Sequence, residues 1–178
     1  MTRKPNLLFV FTDQQRADTL RCYGNTIIEA PNLDQLAAQG VVFENAYVTQ
    51  PVCTPSRSSI MTGLYPHTNG CVANNIALRP ETRTIAEMVS HEYRCAYYGK
   101  WHLGDEVIAQ HGFTDWVSIE DLYRTHYTRD EYRRLFSSYH HFLLEHGFQP
   151  DVERAGAMVF QRETVARLAE EFTKARFV

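Results

Sequence analysis

The sequence contains no apolar stretch near the roughly 20 residues that a membrane span requires, which excludes a transmembrane helix. Its net charge of −3 is too small to suggest a nucleic acid or a membrane surface as partner. None of its four cysteines (Cys22, Cys53, Cys71 and Cys95) pairs with another at the C-x-x-C spacing of a zinc ribbon or a redox centre. The basic start is followed by an apolar run that breaks at Thr12-Asp13, too soon for the core of a secretory leader, so the run reads as a strand and the chain as cytoplasmic. In that compartment the cysteines are thiols. Internal repeats, low-complexity tracts and linkers are also missing, which leaves one domain with a buried core.

What is present has α/β character. "NLLFVFT" (6–12) is a continuous apolar run of the kind buried on both faces of a parallel sheet. In "APNLDQLAAQG" Asn32 can cap a helix, Gln35 is its third-residue partner, and Gly40 ends it. "VVFENAYV" (41–48) reads as a second strand. A short helix is expected from Pro55 to about Thr62, capped by Thr54 and stopped by Gly63. Thr84 and Glu87 form a capping box at the head of 84–93, and "RCAYYG" (94–99) reads as a third strand. Helix is expected in 129–146 and 155–175, and the terminal "ARFV" resembles the start of another strand, as if the chain were cut short.

In open α/β sheets, sites collect beyond the carboxyl ends of strands. Three polar stretches end strands in this reading: "TDQQ" (12–15), "CTPSR" (53–57) and "GKWH" (99–102). Asp13 and Gln14 could be a plain turn pair, or two oxygen donors of a hard-cation site. Free cysteine commonly packs as a small hydrophobe. Cys53, however, lies in a Pro-flanked turn at a helix N-terminus, where negative charge is favoured, and Arg57 follows one turn later. Cys22, Cys71 and Cys95 lack such surroundings and read as structural. Lys100 and His102 alternate in an extended segment, so they share a face while Trp101 packs away from it. Beside Cys53 they would make an anion clamp with a proton-transfer group. A cysteine-phosphatase loop is disfavoured, because it needs a longer spacing than the three residues between Cys53 and Arg57.

These residues resemble the type I (formylglycine-dependent) sulfatase family of the alkaline-phosphatase-like superfamily. "CTPSRSSIMTG" is similar to its first signature, "GKWHLG" to its second, and "NLLFVFTDQQRADTLRCYGN" to its metal-binding opening. The match runs in order through roughly the first 105 residues. It implies an α/β fold, a partial alkaline-phosphatase-like, mostly parallel sheet flanked by helices, with residues 1–178 as the N-terminal part of the catalytic domain. It also implies that a separate maturation enzyme oxidises Cys53 to formylglycine, whose hydrate attacks the sulfur of a sulfate ester and then collapses to release sulfate. Asp13, Gln14 and the oxygen at position 53 would hold a divalent cation, calcium ahead of magnesium. Arg57 would steady the modified residue, Lys100 would supply charge to the sulfate, and His102 would act as base. The substrate would be a sulfated small molecule or sugar. Many members of that family carry two adjacent acids where this chain has Asp13-Gln14, so weaker metal binding is expected. Later family elements (an Asp-Asn metal pair, a lysine and a histidine) cannot be assigned here, and little activity is expected from the polypeptide alone. The alternatives are phosphate or phosphonate ester hydrolysis at a similar site, and a non-catalytic remnant. Residues 121–142, rich in aromatic and basic side chains, either line a sugar-sulfate pocket or form a solvated helix with a packed aromatic face, the latter being the expectation.

Overall fold

The computed structural model describes residues 4–160. The chain divides into two compact units, Met1–Tyr47 and Val48–Val178.

In the first unit, 3-10 turns at Ala17–Thr19 and Arg21–Tyr23 precede helix α1, Pro31–Gln39. Proline at the first helical position starts α1 one residue before the expected cap, so Ala30 is the N-cap and Asn32 lies inside the first turn. Gly40 ends the helix as expected. The strands expected at 6–12 and 41–48 do not form. A strand exists only where a neighbour takes its N–H and C=O groups, and the described residues of this unit provide none. Leu7, Leu8 and Val10 are accordingly 78%, 86% and 76% exposed, not buried on two faces.

The second unit begins with α2, Cys53–Thr62. Val52, in extended conformation, is its N-cap; Thr54 is already helical, which frees its hydroxyl for a longer-range bond. Gly63 ends α2 at φ +70°, its N–H donating to Ser59 O at 2.8 Å, a conformation that glycine adopts without a Cβ penalty. Next come α3, Pro66–Asn69, and α4, Ile85–Met88. The Thr84–Glu87 capping box forms, with Thr84 N–H donating to Glu87 Oε2 at 2.9 Å. The helix stops after one turn because Val89 is extended, far short of residue 93.

Strand β1, Ala96–Gly99, falls where expected and pairs in parallel with β2, Asp115–Ser118, in the register Ala96↔Asp115 to Gly99↔Ser118. The main core packs Met61, Cys71, Leu78, Trp101 and Leu103 against Tyr97, Phe113 and Trp116. Cys71 is buried and Cys95 half-buried, in keeping with structural roles, but Cys22 is exposed.

Residues 121–142 are not a solvated helix. Arg124 is fully buried, and its guanidinium donates to Arg133 O and Leu135 O, folding the chain back on itself. Arg124–His126 is a 3-10 turn, and in 129–146, where a longer helix was expected, only Tyr132–Arg134, another 3-10 turn, and α5, Ser138–Glu145, are helical. Ser137 caps α5 and is itself held by the Asp121 carboxylate, which accepts from Ser137 N–H at 2.9 Å and Oγ–H at 2.6 Å. Strands β3, Val152–Arg154, and β4, Ala157–Val159, form an antiparallel hairpin where helix was expected from 155. Its two turn residues, Ala155 and Gly156, have φ of +51° and +74°, which suits a tight hairpin. The rest of the expected 155–175 helix and the terminal "ARFV" lie outside the described residues.

Candidate active site

The site grows from two pieces of backbone: the start of α2 and the turn that follows β1. Cys53 is the first residue of α2, half-buried, and its Sγ lies 3.9 Å from Lys100 Nζ. A helix N-terminus and an ammonium group both favour negative charge on whatever atom occupies that side chain. Lys100 is 7% exposed and also lies over the Tyr123 ring, with Nζ 5.3 Å from its centroid.

His102 approaches from the same turn. Its backbone is left-handed, at φ +56°, so the segment is not the simple extended chain expected. The shared face arises instead because the turn delivers both Lys100 and His102 to Tyr123. The His102 imidazole stacks on the phenol ring with centroids 3.9 Å apart and planes 15° from parallel. Its Nε2 is 2.8 Å from Asn75 Oδ1. Trp101 packs away into the core at 0% exposure, as its position between them suggested.

Side chains around the turn lock its backbone. Arg57 Nη1 donates to Lys100 O at 2.5 Å, so this buried cation holds the lysine's own peptide in place. Thr54 Oγ1–H donates to His102 O at 2.8 Å, Asn75 N–H donates back to Thr54 Oγ1, and Thr54 N–H donates to Asn74 Oδ1. Glu106 accepts from Trp101 N–H at 2.9 Å and from His102 N–H. Burial pushes the Glu106 carboxyl up to about 8, against the two amides, which favour the anion; nearby Glu120 adds to the rise and Arg57 opposes it.

Of the residues singled out from sequence, Cys53, Arg57, Lys100 and His102 are therefore gathered together. Asn74, Asn75, Glu106 and Tyr123 were missed. The pair in "CVANNIAL" carries the polar types suited to turn and side-chain bonding and could have been noticed. Tyr123 gives no local signal, because its partners are set by folding, while Glu106 lies only four and five residues from the amides it binds but in no helix or strand pattern that would mark it.

Asp13 and Gln14 lie exposed in a bend of the first unit, with Gln14 at φ +54°. A carboxylate and an amide oxygen suit a hard divalent cation. Among the described residues, however, no three His, Cys, Asp or Glu side chains gather in a way that could hold a metal ion. The donor chemistry of this pair fits such an ion, and two donors alone do not complete its coordination sphere.

A model of the sulfatase family matches residues 5–174. The chain belongs to the sulfatase family. Among relatives, an ulvan-active sulfatase of Formosa agariphila is 39% identical over 125 residues, covering 66% of this chain and 24% of that protein. An N-acetylglucosamine-6-O-sulfatase of Bacteroides thetaiotaomicron is 31% identical over 152 residues, covering 85% of this chain and 26% of that protein. Two solved structures share the fold at TM-scores of 0.59. One is yidJ from Bacteroides fragilis, 30% identical, with 64% of this chain and 31% of that chain covered. The other, 33% identical, is of a protein in complex with its substrate D-glucosamine-2-N,6-O-disulfate, with 64% and 23% covered. The chain thus spans about a quarter of the length of the curated relatives it matches. The parallel β1–β2 pair with its flanking helices is the described share of the α/β sulfatase fold.

Proposed function

We propose that this chain is the N-terminal part of a sulfuric ester hydrolase whose nucleophile is made from Cys53, and that its substrate is a sulfated sugar. One observation carries the reading: Cys53 stands at the head of α2 with Lys100 Nζ 3.9 Å from its sulfur, in the turn that also presents His102. A cysteine kept as a packing residue would not need a buried ammonium group beside it. The relatives active on ulvan and on N-acetylglucosamine 6-O-sulfate, and the structural neighbour bound to a disulfated glucosamine, support the sugar assignment.

Formylglycine at position 53, installed by a separate maturation enzyme, would when hydrated supply a hydroxyl nucleophile for sulfur and a second hydroxyl for release of sulfate. The chain's own residues have separate tasks around it. Lys100 sets a fixed positive charge against position 53 and the incoming sulfate oxygens. His102, steadied by Tyr123 and Asn75, is placed to accept or return a proton. Arg57 and Thr54 hold the backbone that carries both. Asp13 and Gln14 offer a carboxylate and an amide oxygen to a divalent cation, calcium in preference to magnesium.

The test is mass spectrometry of the Cys53 peptide after co-expression with a maturation enzyme. Conversion to formylglycine lowers its mass by about 18 Da. An intact thiol throughout the population refutes the proposal.

A further inference from the structure

Lys100, Trp101 and His102 run beyond the end of β1, where no ladder is left to satisfy their backbone. Buried peptide groups still need partners. Lys100 O takes Arg57 Nη1 and the Tyr97 hydroxyl, and His102 O takes Thr54 Oγ1–H. The two consecutive N–H groups of Trp101 and His102, on either side of the Trp101 α-carbon, both point at one carboxyl group. Successive amides in that arrangement form a small anion-binding concavity. One side chain fills it: Glu106, 0% exposed, with Oε2 on Trp101 N–H and Oε1 on His102 N–H. The peptide of Glu106 is tied in turn to β2, its carbonyl accepting from Trp116 Nε1 at 2.6 Å.

We infer that Glu106 is the positioning residue of the site: by bonding the two amides on either side of Trp101 it fixes the peptides that lead from Lys100 into His102, and so presents the imidazole to Tyr123 while Lys100 faces Cys53. Its importance for turnover rests on the sulfatase reading; its hold on the turn does not. Removing the carboxylate orphans two buried amides, each of which then disfavours the conformation that places His102.

The experiment uses the 178-residue chain and NMR. In the wild type, the Trp101 and His102 amides exchange slowly with solvent although they lie outside helix and strand, and the His102 ring protons are shifted upfield by the stacked Tyr123. Glu106→Gln leaves one acceptor oxygen for two donors. It is expected to speed exchange at these amides by about tenfold or more and to abolish the ring shift. Asp105→Asn, which removes a neighbouring buried carboxylate bonded instead to Thr128, preserves both signals. Retention of slow exchange and of the ring shift in Glu106→Gln overturns the inference. Should that variant not fold, the wild type decides: slow exchange at both amides supports the inference and fast exchange at either overturns it. On matured full-length protein that carries this chain, with an aryl sulfate, Glu106→Gln should lower kcat about tenfold or more while KM stays within about twofold; a change in KM alone overturns the positioning role. An unmodified Cys53 throughout the population after co-expression with a maturation enzyme, with both NMR signatures in place, refutes the sulfatase reading and leaves the positioning intact.

Discussion

Thr54→Val tests whether the site's two backbone pieces are joined through one hydroxyl. Thr54 is fully buried, and valine reproduces its shape without the oxygen. The substitution removes the donor to His102 O at 2.8 Å and the acceptor of Asn75 N–H at 3.3 Å, leaving a carbonyl and an amide without those partners. Each orphaned buried group costs about 1–3 kcal/mol, and the longer bond falls at the low end. The sum is about 2–4 kcal/mol, a large share of the roughly 5–15 kcal/mol that stabilises a typical domain. Thr54→Ser keeps the oxygen and loses only a methyl group, about 1 kcal/mol. Urea unfolding followed by tryptophan fluorescence is a suitable assay, since both tryptophans, Trp101 and Trp116, belong to the unit that contains Thr54. A Thr54→Val loss no greater than that of Thr54→Ser would refute the reasoning, because the methyl group and not the hydroxyl would then carry the contact.

Further outcomes follow from the same geometry. Between 4.5 and about 8 the folded chain holds a proton on Glu106 that the unfolded chain has lost, so stability should fall as pH rises through that window, by up to roughly 1.4 kcal/mol per unit, and level off above it; urea midpoints at pH 5 and pH 8 should differ in wild type and converge in Glu106→Gln. Gly112 has φ +81°, and a Cβ there would stand 2.6 Å from Glu87 Cγ and 2.9 Å from the Ala86 carbonyl carbon, so Gly112→Ala should cost about 2 kcal/mol or more by thermal unfolding. Lys100→Met keeps the length of the side chain without its charge; in matured full-length protein that carries this chain, sulfate ester turnover should fall by about 10²-fold or more with little change in unfolding temperature.

Local chemistry made much of the second unit legible before folding was considered. Gly63 stops α2, Thr84 and Glu87 box the start of α4, and the apolar run at 96–99 forms β1, because each depends on neighbours only a few residues away. The failures share a cause. The runs at 6–12 and 41–48 have the composition of strands, but a strand is a property of a pair, and the described part of the first unit offers no partner. Residues 121–142 carry a helix-like aromatic pattern, but Arg124 finds the carbonyls of Arg133 and Leu135 and turns the chain back. The hairpin at 152–159 follows from positive φ at Ala155-Gly156, for which glycine was the available clue.

The sequence by itself determined which groups could do the chemistry: a cysteine at a helix start, an arginine one turn on, and a lysine and histidine flanking a tryptophan. Residue type and short spacing encode those features, since they need only the geometry of one helix turn or one strand end. Tertiary structure alone decided how the groups are held. Arg57 binds a carbonyl rather than standing as a free cation over the site, His102 turns left-handed against Tyr123, and Glu106 fills the concavity between two amides. Those partners are separated by up to 43 residues in the chain, and no local pattern specifies which buried peptide group a distant side chain must satisfy.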